Sequence, residues 1–62
     1  MVDKLAIASI AQQYNLNPKK KKAVAWWYFL SGYEVKEVAY LLNINYKTAW
    51  RYRESFRERT GV

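Results

Sequence analysis

Apolar positions recur along the chain at helical spacing, in four runs separated by short polar breaks. In the first run, Asp3 to Tyr14, the residues Leu5, Ala6, Ile10 and Tyr14 fall near one helical face, and Ile7 and Ala11 widen it. Asp3 stands where an N-cap belongs, because its carboxylate can accept from a free first-turn N–H. The wide apolar coverage predicts either burial on more than one side or a contact with a second copy. "NLNP" (Asn15 to Pro18) then breaks the pattern. Asn17 followed by Pro18 reads as a cap and a first helical position, where the missing proline N–H costs nothing, so a second helix is expected from Pro18 to about Ser31. Gly32 follows as its stop, since glycine accepts the left-handed backbone that ends many helices.

A third helix is expected from about Glu34 to Leu42, with Val35, Val38, Ala39 and Leu42 on its buried face. The break "NIN" (Asn43 to Asn45) lasts only three residues. Asn43 suits a left-handed turn position and Asn45 an N-cap, while Ile44 between them should plug the core from inside the turn. The fourth helix should run from Tyr46 to about Arg59, with Ala49, Tyr52, Arg53 and Phe56 on one face and Gly61 as the stop. Within "AWWYFL" (Ala25 to Leu30), Trp26, Phe29 and Leu30 suit burial against helices three and four. Trp27 and Tyr28 cannot share a side, so one of them should cover helix one or an oligomer contact. No alternating run is bounded by turn residues, so no strand is expected. The fold class is therefore all-α: a small four-helix domain over residues 1–62, with an N-terminal helix (1–15) packed on a three-helix core (16–59).

Composition narrows the chemistry. With 62 residues the chain is one small domain, which buries a modest fraction of its surface and depends on each large side chain. Apolar residues make up 52% and aromatics 18%, enough to argue for a packed core rather than disorder. Cysteine and histidine are both absent, which excludes disulfides, Cys/His zinc sites, thiol nucleophiles and imidazole bases. Glu34 and Glu37 read as helix-capping charges, so no catalytic residues, cofactor, metal or small-molecule substrate are expected. No apolar run reaches membrane-spanning length, "AVAWWYFL" being about half of the ~20 residues required. The N-terminus lacks the basic and apolar regions of a signal peptide. Eleven Lys and Arg against five Asp and Glu give a net charge of +6, which favours a polyanionic partner.

Helical geometry singles out the start of helix four. If Ala49, Tyr52 and Phe56 face the core, Lys47, Trp50, Arg51 and Glu54 point away, with Tyr46 at the helix start. A second basic feature is the run Lys19 to Lys22. Four cations at a helix N-terminus oppose the helix dipole, yet together with free N–H groups they make a phosphate clamp. The plainer readings are a solvated charge run for these lysines, a solvated basic face for Lys47 and Arg51, and core packing against helix one for Trp50.

Residues 16–56 resemble the helix-turn-helix of LuxR-type response-regulator domains and of the C-terminal (region four) domain of sigma factors. The resemblance is carried by "LNP" at Leu16 to Pro18, "FLSG" at Phe29 to Gly32, "VAYLLNIN" at Val38 to Asn45 and "YKTA" at Tyr46 to Ala49. Ala39 supplies the small residue that two closely crossing helices need. The resemblance implies that helix 46–59 is a recognition helix in the major groove of double-stranded DNA. Tyr46, Lys47, Trp50 and Arg51 are then the base-reading candidates. Lys47 and Arg51 can reach guanine O6 and N7, and Trp50 can meet thymine methyls. The hydroxyls of Tyr46 and Thr48 are placed for phosphates. Lys19, Lys20, Lys21, Lys22, Lys36, Arg53 and Arg57 complete the phosphate-binding set, Arg53 lying partly against the core.

The function expected is sequence-specific binding of double-stranded DNA by a small transcription regulator. It would dimerise through residues 2–14 and work in the cytoplasm, at the nucleoid of a prokaryotic or viral host cell. Small size and Met1 point to a stand-alone viral or plasmid product. Two alternatives stay open: a protein-interaction module for an acidic partner, and the DNA-binding part of a recombinase, transposase or terminase assembly.

Overall fold

The four helices end at residues that accept left-handed backbone. Asn15, Gly32, Asn43 and Gly61 have φ of 56°, 95°, 54° and 76°. They follow α1 (Lys4–Tyr14), α2 (Lys21–Leu30), α3 (Val35–Leu42) and α4 (Tyr46–Thr60) of the computed structural model, which describes residues 2–61. Met1 and Val62, the ends of the expected 1–62 domain, lie outside the described residues, and with Met1 the stand-alone argument drawn from it. Among the described residues there is no strand. The reversal after α1 is held by the Asn15 and Leu16 N–H groups, both donating to Ala11 O, Leu16 at 2.7 Å.

Three helices start on side-chain caps. Asp3 Oδ1 accepts from Ala6 N–H at 3.1 Å, and Asn45 Oδ1 accepts from Lys47 N–H at 2.8 Å. Glu34 and Glu37 form a capping box at α3, in which Glu37 Oε1 accepts from Glu34 N–H at 2.9 Å. The second helix departs from the sequence expectation. Asn17 Oδ1 accepts from Lys19 N–H at 2.9 Å and Asn17 O from Lys20 N–H at 3.0 Å, closing a separate turn over Pro18. The start signal is consumed by that turn, so α2 begins at Lys21, with Lys20 at the cap position and no side-chain acceptor. Only Lys21 and Lys22 of the lysine run are helical.

Helix α2 is the centre of the packing. It lies against α1, α3 and α4, and α3 and α4 also pack on each other. Ile10, Ala25, Trp26, Phe29, Val38 and Phe56 form the main buried cluster, which half-buried Val35, Leu42 and Tyr52 extend. Ile7 and Ala11 of α1 meet Ala23 of α2 in a second cluster, with Trp27 packed over it. Trp27 is thus the ring that covers α1, while Tyr28 lies tilted beside it and edge-on to Tyr33.

Three apolar positions are not where periodicity alone puts them. Leu30 is half-exposed, because α1 covers Ala23 and Trp27 and leaves the next position on that flank open. Leu5 is 85% exposed, since the face of α1 that meets α2 is centred on Ile7, Ile10 and Ala11. Ile44 is only half-buried: its N–H is tied to Ala39 O at 3.0 Å, and Leu42 is the residue from this corner that packs against the main cluster.

The Asn43 corner sets the direction of α4. A β-branched residue cannot take φ 54° without strain, so Asn43→Val should lose about 1–3 kcal/mol in urea denaturation, whereas Asn43→Gly should unfold near the wild-type midpoint.

Candidate nucleic-acid interface

Helix α4 is divided lengthwise and end to end. Ala49 and Phe56 are fully buried, which fixes the rotation of the helix. Lys47 and Arg51 then point furthest from the core, and both are exposed. Tyr46 and Trp50 are on the adjoining flank and also exposed, Trp50 at 46%. Continuing along the outward side toward the C-terminus, the residues become Glu54 and Glu58, with Arg57 on the flank that carries Tyr46 and Trp50, all three exposed. Arg57 Nη1 lies 3.6 Å from Glu54 Oε2, a solvent-exposed pair that contributes little to stability. The N-terminal half of the outward face is therefore cationic and aromatic, and the C-terminal half carries acids.

An open groove of about 650 Å³ runs beside this face, between α4 and the corner joining α2 to α3. It brings together Lys36, Tyr46, Trp50, Arg53 and Arg57, five of the twelve candidate residues, with Tyr33 and Glu34 on the opposite wall. The Arg53 guanidinium lies over Phe29 and Phe56, with Cζ 5.8 and 5.7 Å from the two ring centroids. The expectation that Arg53 rests partly on the core therefore holds. Trp50 does not fill a gap against α1; it lines the groove.

The remaining phosphate candidates lie elsewhere. Thr48 is half-buried on the side of α4 away from Trp50. Lys22 Nζ and Arg59 Cζ sit 5.9 and 6.0 Å from the centroid of the same Trp26 ring. The lysine run thus neighbours the C-terminal end of α4, while Gly32, past the other end of α2, lines the groove with Tyr46 and Trp50. About 18 Å of helix separates Lys47 from Arg59 at ~1.5 Å per residue, so Lys19 to Lys22 do not join Lys47 and Arg51 in one patch.

Two contributors escaped the sequence reading. Tyr33 carries no periodic signal because it sits in the α2–α3 corner. Arg59 donates from Nη2 to Tyr14 O at 2.9 Å, satisfying a carbonyl at the α1 C-terminus across the molecule. Only a contact between distant segments could have found it.

The molecule is a small all-α domain of four packed helices. No family model, curated protein or solved structure matches the chain. Among the described residues no helix is long and apolar enough to cross a membrane.

Burial separates the two tryptophans. Trp26→Ala should cost about 3–5 kcal/mol and leave little folded domain, whereas Trp50→Ala should change stability by under ~1 kcal/mol. Urea denaturation followed by far-UV circular dichroism compares them directly.

Proposed function

We propose that the chain is a sequence-specific double-stranded DNA-binding protein of the helix-turn-helix kind, similar in plan to LuxR-type and sigma region-four domains. The N-terminal half of α4 enters the major groove. The observation that carries this reading is the placement of Lys47 and Arg51 at the outermost edge of α4, immediately after a three-residue turn and on a helix rotated by buried Ala49 and Phe56. Recognition helices use their first turns on base edges, where Arg and Lys pair with guanine and an aromatic ring meets thymine methyls. The acids Glu54 and Glu58 face outward further down, where their repulsion from phosphates limits how far α4 inserts. Lys36, at the start of α3, and Arg57 supply phosphate contacts beside the groove.

The lysine run and Arg59 form a second basic region that steers the protein to DNA and holds backbone away from the reading head. A module this small makes few base contacts, so two copies acting together give useful affinity. Exposed Val2, ahead of α1, and exposed Leu5 within it belong to the dimer contact in this scheme. The role is that of a transcription regulator at the nucleoid of a prokaryotic cell, acting on chromosomal, viral or plasmid DNA.

One observation favours a second reading, in which the domain binds protein within a larger assembly. Tyr40 is 86% exposed on α3, beside half-exposed Leu41, a pair that duplex binding by α4 does not use.

Selection of bound duplexes from a random pool tests the first reading. A defined consensus is expected, with two-fold symmetry if α1 pairs two copies. Arg51→Ala should lose about 1–3 kcal/mol at that consensus and relax specificity there, while Lys36→Ala should weaken all sequences alike and flatten the salt slope by about 1. Glu54→Gln should tighten binding. No duplex binding even at low salt would sink the reading.

A further inference from the structure

Arg53, expected from the sequence among the duplex phosphate contacts, lies in the groove beside the outer face that carries Lys47 and Arg51. Its side chain is partly buried between α2 and α4, and Nη1 is buried with no hydrogen-bond acceptor among the described residues. The acids nearby are otherwise engaged. Glu54 lies against Arg57, and Glu34 and Glu37 are held in the α3 capping box. A guanidinium does not lose its proton in a protein, so it cannot escape burial by becoming neutral. A partly buried charge without a carboxylate is a standing penalty, which an incoming anion removes.

The rest of the groove says which anion. Lys36 and Arg57 are its other cations, and Tyr33, Tyr46 and Trp50 line it while remaining 40%, 58% and 46% exposed. A simple inorganic anion uses the cations and wastes the rings. An apolar peptide uses the rings and strands the cations. A nucleotide uses both, its phosphate on the guanidinium groups and its base against an aromatic face. Bases in a duplex are stacked and paired, so a ring in a groove meets a base face only where the strand is unpaired.

We propose that the groove between α4 and the α2–α3 corner binds an unpaired nucleotide, with its phosphate at Arg53 and its base against Tyr33, in a lining shared with Tyr46 and Trp50. The site deepens the nucleic-acid reading and rests on it, sharing Tyr46, Trp50, Lys36 and Arg57 with the duplex-binding surface. It gives the protein a grip on a single strand beside the duplex, as at a melted or frayed end. Arg53 and Tyr33 belong to the groove alone and Arg51 to the outer face alone, so the two modes fail separately.

The test is fluorescence anisotropy of a labelled single-stranded oligothymidylate at low salt, with the wild type, Arg53→Met, Tyr33→Ala and Arg51→Ala. Arg53→Met keeps an apolar stem over Phe29 and Phe56 and removes the charge. It should bind the strand about tenfold more weakly, with a log–log salt slope flatter by ~0.7, while its Tm equals or exceeds that of the wild type. A purely structural Arg53 would lower Tm instead. Tyr33→Ala should also weaken strand binding, and Arg51→Ala should leave it within about threefold. Displacement by thymidine monophosphate but not by thymidine assigns the site to a single nucleotide, and displacement by longer strands alone assigns it to a strand; either supports the proposal. It is overturned if the wild type does not bind the oligothymidylate, or if Arg53→Met binds it as the wild type does. Should Arg53→Met fail to fold, unchanged binding by Tyr33→Ala overturns it equally.

Discussion

The indole of Trp26 is the contact on which the other placements depend. It is fully buried at the middle of α2, the helix that touches all the others. Tyr14 from the end of α1 meets it edge-on at 5.2 Å, and Phe56 from α4 meets it edge-on at 5.6 Å. A chain this short has few large side chains to spare, so a ring that joins three helices carries a large share of the packing. Arg59 adds a polar tie over the same site, reaching from α4 to Tyr14 O with its guanidinium beside the indole. The indole Nε1 has no acceptor among the described residues, a polar cost that the central packing offsets.

Because Trp26 and Phe29 hold Phe56, the rotation of α4 about its axis is settled from inside. Buried Ala49 holds the same rotation at the other end of the helix. What α4 shows to solvent follows directly: cations and rings at its start, acids mixed with a cation further on. Stability and presentation are therefore one problem here. A change that repacks the aromatic cluster would turn Lys47 and Arg51 away from any surface they address, with no substitution at those residues.

The two basic regions of the molecule are separated by most of the length of α4. That separation suits an elongated polyanion better than a compact one, since duplex DNA offers a charge about every 1.7 Å along its axis. Arg53 between them is, after the Trp26 indole, the second group whose buried nitrogen has no acceptor among the described residues. Buried polar groups without partners are scarce in folded proteins, and they concentrate where a structure is held ready for something else.

Much of this was readable along the chain, and the reasons are local. Asp3, Asn45 and the Glu34–Glu37 pair cap their helices through hydrogen bonds spanning two or three residues, and Asn43 and Gly61 stop theirs through backbone conformations particular to those residue types. The outward direction of Lys47 and Arg51 followed from the 3.6-residue period once Ala49 and Phe56 were taken as buried. Asn17 misled because a cap residue serves a turn as well as a helix, and the choice at Pro18 depended on how the chain leaves α1. What only the tertiary structure decided were the relations between segments. α1 stops short of Leu30, Tyr33 and Trp50 line one groove, and Arg59 reaches the end of α1. The lysine run, too, lies at the far end of α4 from Lys47. Periodicity reports which side of a helix is apolar, but it carries no information about which neighbour covers that side or how far along the helix the cover extends.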